Sequence, residues 1–97
     1  MQKRMFVYMV SNKKNGTIYI GVTSDLQKRI YEHKSKEFDG FTKKYKLTNL
    51  IFFEMFDDTE NAIRREKQLK KWNRDWKIEL IEKLNPNWDD IYPRLFE

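Results

Sequence analysis

Four residues near the start of the chain have side chains suited to anion binding and proton transfer: Tyr8, Tyr19, Arg29 and His33. The guanidinium of Arg29 is always charged, and its planar set of N–H donors matches phosphate oxygens. His33 is the only histidine in the sequence, and its ordinary pKa of about 6.5 suits it to exchange a proton near neutral pH. Arg29 and His33 are four residues apart, so a helix places both on one face. These residue types predict a site that binds an anion and moves a proton.

A fifth candidate, Glu66, lies in a segment whose apolar residues recur at helical spacing. Ala62, Ile63 and Leu69 share its helix face by the i, i+3, i+4, i+7 rule. A carboxylate on an inward face is unfavourable unless it is paired with a cation or bound to a metal. Two interpretations stay open on these residues alone: an internal ion pair, with Arg29 as a candidate partner, or a metal ligand.

The tyrosines lie in two strand-like runs, residues 6–10 and 17–23, which Asn15 and Gly16 separate. Asn-Gly between apolar runs is the strongest short hairpin signal, because a type I′ turn needs positive φ at both central residues. The sequence therefore predicts an antiparallel hairpin with a two-residue turn.

This turn fixes the cross-strand pairs, with Val10 opposite Gly21. Side chains alternate between the two faces of a strand, so Tyr8 and Tyr19 are predicted on the same face. The opposite face is then almost purely aliphatic and forms a core: Val7, Met9, Ile18, Ile20 and Val22.

Further elements follow from start and stop signals. Ser24, with Gln27 three residues on, predicts the capping box of a first helix that carries Arg29 and His33. Residues 50–56 are nearly all apolar, which predicts a central strand covered on both faces. Helices are predicted over 60–72, capped within 57–59, and over 76–84, capped by Asp75 and ended at Pro86. The order β-β-α-β-α-α predicts an α+β fold, a three-stranded antiparallel sheet flanked by helices.

Composition narrows the class of protein. With 97 residues, 39% hydrophobic and 36% charged, the chain is predicted to be one domain, residues 1–97. The net charge of +5 suits a polyanion partner, although solubility alone also explains such a charge. The sequence has no cysteine, which excludes disulfides and thiolate zinc sites and favours a cytoplasmic protein. The apolar run ending at Val10 is too short for a signal peptide or a membrane span.

Two clusters combine basic and aromatic residues, a pattern that suits contact with phosphates and stacked bases. In the first, lysines interleave with Phe38, Phe41 and Tyr45. The alternative is that the rings close the core, and this is the favoured interpretation for Phe41 and Tyr45 because small domains need aromatic residues to fill the core. The second surrounds Trp72 and Trp76 and includes Lys77. The predicted nucleic-acid-binding residues are Lys43, Lys44, Lys46, Lys67, Lys70, Lys71 and Arg74.

This ordered set resembles the GIY-YIG nuclease family, and within it the small stand-alone bacterial members of the YhbQ-like group. Tyr-Ile-Gly is literal at residues 19–21, whereas Phe-Val-Tyr stands at 6–8 in place of Gly-Ile-Tyr. Residues 23–29 match a T-x-D-L-x-x-R pattern, and residues 62–67 match A-I-x-x-E-K. The Asn-Pro-Asn-Trp segment at 85–88 resembles the ending of the small members. Val22 stands where some relatives carry a lysine.

The resemblance implies a DNA phosphodiester hydrolase with one divalent metal, Mg²⁺ or Mn²⁺, serving DNA repair or the processing of branched DNA. It makes Tyr8 and Tyr19 the motif tyrosines, Arg29 the phosphate-binding arginine, His33 an accessory residue and Glu66 the metal ligand. Asn85 matches a late asparagine of some members. The expected assembly is a monomer or a weak homodimer. Two alternatives stay open: a non-catalytic nucleic-acid-binding module on the same fold, and a structural domain whose charge is only surface.

Overall fold

A computed structural model describes residues 4–35 and 44–97. Within these ranges the elements are β1 (Met5–Ser11), β2 (Ile18–Thr23), α1 (Leu26–Lys34), β3 (Asn49–Phe56), α2 (Thr59–Lys71), α3 (Arg74–Leu84) and a C-terminal 3-10 helix (Tyr92–Phe96). The predicted α+β fold and its β-β-α-β-α-α order are confirmed.

The described strands form one antiparallel sheet in the order β2-β1-β3, so β1 is central and β3 is at an edge. The prediction that residues 50–56 form the central strand is therefore wrong. Their apolar character has another cause: Leu50, Ile51 and Phe52 are all at most 4% exposed because other elements cover them. The C-terminal segment also covers this edge, where the backbone N–H of Ile91 donates to the carbonyl of Leu50 at 2.8 Å.

The connection between β1 and β2 is longer than the predicted two-residue turn. A hydrogen bond of 3.0 Å from the backbone N–H of Gly16 to the carbonyl of Lys13 closes it. Asn15 has a positive φ of 60°, and the side chain of Asn12 accepts from the N–H of Thr17 at 3.0 Å. A Cβ at Gly16 would lie 2.1 Å from Asn12 Oδ1. The glycine is therefore needed because the Asn12 side chain approaches it closely. The prediction of a two-residue type I′ turn is wrong, because the connection runs from Ser11 to Ile18.

The longer loop shifts the cross-strand register by two residues. Gly21 lies opposite Tyr8 instead of Val10, and Val10 lies opposite Tyr19. Because a shift of two preserves the alternation of faces, the predicted division of side chains between the two faces is confirmed.

Each sheet face is covered by a separate apolar cluster. Val7, Met9 and Ile20 pack with residues of α2 and α3, as predicted for the aliphatic face. The tyrosine face is also a core: Tyr8 and Val10 pack there with residues of α1 and with Ile91. The helix that carries the candidate arginine and histidine is thus held directly over the two motif tyrosines.

Two of the three predicted helix caps are displaced by one or two residues. Asp25, not Ser24, caps α1 by accepting from the N–H of Lys28 at 3.1 Å. Asn73, not Asp75, caps α3 and accepts from the N–H of Trp76 at 2.9 Å. For α2 the cap is Asp58, within the predicted segment. Asp25 and Asn73 each lie one or two residues from the predicted cap, and their side-chain oxygens accept from the free backbone N–H groups of the first helical turn.

No helix in the described ranges has the length and apolar character needed to cross a membrane.

Candidate active site

The tyrosine face of the sheet and the inner face of α1 bring Tyr8, Tyr19 and His33 together. The Tyr8 hydroxyl lies 3.2 Å from His33 Nε2. The ring centroids of Tyr8 and Tyr19 lie 5.7 Å and 5.9 Å from that of His33. Tyr8 is 1% exposed and His33 5%, whereas Tyr19 is only partly buried. The predicted grouping of the two phenols with the imidazole therefore holds in the structure.

Gly21 allows Tyr8 to reach this position. The two residues are cross-strand partners, and a Cβ built on Gly21 would lie 2.4 Å from the Tyr8 hydroxyl oxygen and 2.5 Å from the ring carbon that bears it. Any larger residue would push the Tyr8 ring off the strand. The glycine of Tyr-Ile-Gly thus has a steric role that sequence reasoning missed, because the two-residue turn placed Val10 opposite it.

Burial controls the protonation of the Tyr8–His33 pair. Burial, together with the nearby Tyr19, raises the pKa of Tyr8 to about 12, and Arg29 opposes this rise through its charge and a hydrogen bond to the Tyr8 side chain. Burial, and to a lesser extent the positive charge of Arg29, lowers the pKa of His33 to about 4. Both groups are therefore neutral at pH 7. A Tyr8 hydroxyl that keeps its proton can donate to the unprotonated Nε2 of His33.

Arg29 extends from the buried pair toward solvent. Its side chain is 38% exposed, and Nε lies 3.4 Å from a carboxylate oxygen of Glu32, which is three residues further along α1. The residue borders an open cleft of ≈ 300 Å³ lined by Thr23, Ser24, Asp25, Lys28, Arg29 and Glu32. Its polar walls carry two cationic side chains, Lys28 and Arg29, and two carboxylates, Asp25 and Glu32. The Asp25 carboxylate caps α1 and that of Glu32 pairs with Arg29, so the two cations are the groups that suit an anion such as a phosphate. The position of Glu32 was missed, although the i, i+3 spacing from Arg29 signals it.

Glu66 approaches the sheet from its other face. Ala62 and Leu69 are the buried residues of α2, and this helix packs on all three strands. Arg65 lies on the flank next to β3, where Nε is 2.8 Å from a carboxylate oxygen of Glu54. Glu66 is about 100° further around the helix, on the flank toward β2, the strand that carries Tyr19.

The surroundings of Glu66 bear on both earlier interpretations. Its side chain is 15% exposed and forms an ion pair with Lys70 at 3.4 Å, so its partner in the described structure is Lys70 and not the candidate Arg29. The described residues contain no group of three or more metal-ligating side chains. Mg²⁺ keeps several waters and is commonly bound by one or two carboxylates together with substrate phosphate. A single carboxylate on this flank therefore fits that mode of binding, and the ligand role of Glu66 stays a prediction.

Asn85, the predicted accessory residue, is 6% exposed and makes structural contacts. Its Nδ2 donates to the carbonyls of Ile51 at 3.1 Å and Asp89 at 2.9 Å. Its Oδ1 accepts from the N–H of Asp89 at 3.0 Å. These bonds attach the C-terminal segment to β3, and no described contact links Asn85 to the tyrosine cluster. Its accessory role stays a prediction.

The predicted nucleic-acid-binding residues are spread over several surfaces. Lys43, Phe38 and Phe41 lie outside the described residues. Tyr45 is 40% exposed and carries Lys44 Nζ at 5.6 Å from its ring centroid, so it does not close the core. The other predicted lysines in the described part are exposed: Lys46, Lys67, Lys70 and Lys71.

Arg74 has a structural contact that its predicted role did not anticipate. Nη2 donates to the carbonyls of Asn15 at 2.7 Å and Gly16 at 2.6 Å. The start of α3 is thereby tied to the loop between β1 and β2.

Comparison with known proteins identifies this arrangement as that of a nuclease family. The model of the GIY-YIG catalytic domain matches residues 4–79. The match spans β1 to α3 and includes the tyrosine, arginine, histidine and glutamate positions described above. The chain belongs to the GIY-YIG family.

Its relatives include small proteins named UPF0213. One from Staphylococcus saprophyticus is 34% identical over 76 residues, covering 78% of this chain and 92% of that protein. Another from Syntrophus aciditrophicus is 38% identical over 71 residues, covering 72% of this chain and 80% of its own length. The solution NMR structure of a UPF0213 protein from Bacillus halodurans superposes with a TM-score of 0.57 at 26% identity, covering 90% and 92% of the two chains. The chain is thus similar over most of its length to small, stand-alone members of the family.

Proposed function

We propose that residues 1–97 form a single-domain DNA endonuclease that hydrolyses phosphodiester bonds with one divalent metal ion, in the repair of DNA or the processing of branched DNA. Family membership supports nuclease chemistry. The observation that carries the proposal is the cluster of Tyr8, Tyr19 and His33 beside the partly exposed Arg29. A merely structural domain has no need to bury a neutral phenol–imidazole pair next to a guanidinium.

Arg29 is proposed to bind the scissile phosphate in the cleft at the start of α1. Negative charge accumulates on the phosphoryl oxygens during hydrolysis, and a fixed guanidinium stabilises it. The ion pair with Glu32 orients this guanidinium, because it fixes Nε along the helix face. Lys28, on the same cleft, adds positive charge for the flanking phosphate.

The two tyrosines are proposed to have different roles. Tyr8 is buried and has a pKa of about 12, so it holds His33 and accepts a hydrogen bond from Arg29 but does not take a proton from water. Tyr19 is partly exposed beside the same imidazole. It is therefore the tyrosine that orients the attacking water or, as the phenolate, receives its proton. His33, neutral at pH 7, orients Tyr8 through Nε2.

Glu66 is proposed to hold the metal ion, since Mg²⁺ is commonly bound by one or two carboxylates together with water and substrate phosphate. A metal ion bound there supplies Lewis-acid stabilisation of the leaving oxygen. Lys70, which pairs with Glu66 in this structure, would then be available to a neighbouring DNA phosphate.

The second candidate function is a nucleic-acid-binding module without catalysis. The Glu66–Lys70 ion pair favours it, since the pair neutralises the only carboxylate proposed for the metal. Val22, at the position where some relatives carry a lysine, favours it as well.

Plasmid nicking separates the two functions. Supercoiled, forked and four-way DNA are incubated with the protein and Mg²⁺, Mn²⁺ or EDTA. We expect metal-dependent cutting that Glu66→Gln reduces by about 100-fold or more while DNA binding is kept. Glu60→Gln is the matched control, because Glu60 is 81% exposed on the same helix. Binding without cutting by the wild type supports the module, and equal cutting by Glu66→Gln contradicts the metal-ligand role.

A further inference from the structure

A cleft of ≈ 350 Å³ lies at the junction of α2 and α3, outside the tyrosine cluster. Trp72, Trp76, Glu79, Leu80 and Lys83 line it. The two indole rings are perpendicular, with centroids 5.8 Å apart, and form two of its walls. Trp76 is 54% exposed. The volume is within the range of small-molecule sites, about 300–1,000 Å³, and aromatic side chains are typical of the lining of such sites.

Local structure holds the cleft walls in place. Trp76, Leu80 and Lys83 are on one face of α3 because they are spaced i, i+4 and i+7. Trp72 ends α2 in an extended conformation, and the guanidinium carbon of Arg65 lies 5.2 Å from its ring centroid. Trp72 is therefore fixed by the protein, whereas Trp76 presents its indole to solvent.

The charge around the cleft indicates what it binds. The lining holds one acidic and one basic side chain, Glu79 and Lys83. Basic residues outnumber acidic ones over residues 65–83, on the two helices that form the cleft. Aromatic rings among cations bind unpaired nucleobases, since every base has a π face and each phosphate pairs with a cation. Glu79 can accept a hydrogen bond from an amino group at the edge of a base.

We propose that this cleft binds an unpaired nucleobase of the DNA strand next to the cut, by stacking it on Trp76. This inference rests on the proposed function, because it takes DNA as the partner. It adds that the preferred substrate has unpaired nucleotides near the scissile bond, as in a fork, flap or bulge.

The spacing along α2 sets how far the unpaired base lies from the cut. Six residues separate Glu66 from Trp72, which is about 9 Å along the helix axis, and the ring centroid of Trp76 lies 5.8 Å from that of Trp72. One strand of duplex DNA advances about 3.4 Å per nucleotide. The strand crosses the C-terminal end of α2, where Lys70 and Lys71 are exposed. The stacked base is therefore within a few nucleotides of the cut.

Binding measured without cleavage tests the inference. Fluorescence anisotropy in EDTA compares a perfect duplex with a forked DNA of the same sequence, for the wild type and Trp76→Ala. We expect the wild type to prefer the forked DNA, and Trp76→Ala to weaken forked binding at least about 5-fold while leaving duplex binding within about 2-fold. Trp76→Phe should keep most of the preference, since a phenyl ring still stacks.

Phe96→Ala is the matched control, because Phe96 is 60% exposed on the C-terminal 3-10 helix and lines no part of this cleft. Far-UV circular dichroism checks that each variant is folded. Equal losses for both DNAs, or no loss for either, overturn the inference even if the protein cuts DNA normally. A preference for forked DNA that depends on Trp76, in a protein that cuts nothing, supports the cleft and overturns the proposed catalysis.

Discussion

At the scale of single residues, burial assigns different chemistry to two phenols that look equivalent in the sequence. Tyr8 is 1% exposed and hydrogen-bonded to His33, and its burial raises the pKa of the Tyr8 hydroxyl to about 12. Tyr19 reaches the same imidazole from a partly exposed position. The shared face of the tyrosines could be predicted, because it depends only on alternation along the strands. Which tyrosine is buried could not, since that depends on how α1 and the C-terminal segment pack.

His33 gives stability a specific pH dependence. Its pKa is about 4 in the folded protein and about 6.5 when unfolded, so below pH 6.5 the unfolded chain binds a proton that the native state does not. The contribution of the neutral His33 imidazole to stability is complete above pH 6.5 and is lost as the pH falls toward 4. We expect the free energy of unfolding, measured with urea, to fall by about 2 kcal/mol between pH 7 and pH 5.

His33→Gln is the control for this titration, because no other histidine is present. Its free energy of unfolding should change much less over the same pH range. A wild type as insensitive to pH as the variant would show that the imidazole is not protected from protonation.

At the scale of elements, the hairpin shows why a partly wrong prediction still placed the tyrosines correctly. Asn15 and Gly16 do lie in the connection, but Asn12 accepts from the N–H of Thr17 and lengthens the loop. The register therefore moves by two residues, and the faces are unchanged. Side-chain capping within the loop depends on atomic distances, so the sequence pattern predicted the turn but not its length. The edge position of β3 escaped prediction for a similar reason: long-range cover by the C-terminal segment makes an edge strand as apolar as a central one.

Gly21→Ala tests the contact between β2 and the Tyr8 ring. The new methyl group would lie 2.4 Å from the Tyr8 hydroxyl oxygen, which forces the ring or the strand to move. We expect a loss of about 1–3 kcal/mol in the free energy of unfolding, measured by urea denaturation.

The double variant Gly21→Ala with Tyr8→Ala is the matched comparison. It removes the ring that the methyl group meets, so adding Gly21→Ala to Tyr8→Ala should have little further effect. Additive losses would mean that Gly21 is needed for a reason unrelated to Tyr8.

At the scale of the whole molecule, both sheet faces contribute to one proposed DNA-binding surface. Arg29 and the tyrosines come from the α1 side, whereas Glu66 and the cleft at Trp76 come from the α2–α3 side. Glu66 lies on the flank of α2 nearest β2, so the scissile bond is proposed to lie at the β2 edge of the sheet. The net charge of +5 suits a polyanion partner, but composition does not show that the basic residues are spread over several surfaces. That distribution depends on the crossing of the helices over the sheet.

Salt dependence measures the number of phosphate contacts on this surface. Each neutralised phosphate releases counterions, so the logarithm of the DNA association constant should fall linearly with the logarithm of salt concentration. Lys71→Ala, at the end of α2, should reduce the slope by about 1. Lys13→Ala, on the loop between β1 and β2 and outside the predicted set, is the matched control and should leave it unchanged. An affinity independent of salt would contradict a phosphate-binding surface.

Arg29 is proposed to stabilise the phosphate during hydrolysis, and the initial rate of plasmid nicking by Arg29→Ala with Mg²⁺ measures this contribution. We expect a rate about 10³-fold below that of the wild type, with DNA binding weakened far less. Arg64→Ala is the control, because it removes an arginine of α2 that is 71% exposed, and it should nick at the wild-type rate. An Arg29→Ala protein that nicks as fast as the Arg64→Ala control would show that Arg29 does not stabilise the phosphate during hydrolysis.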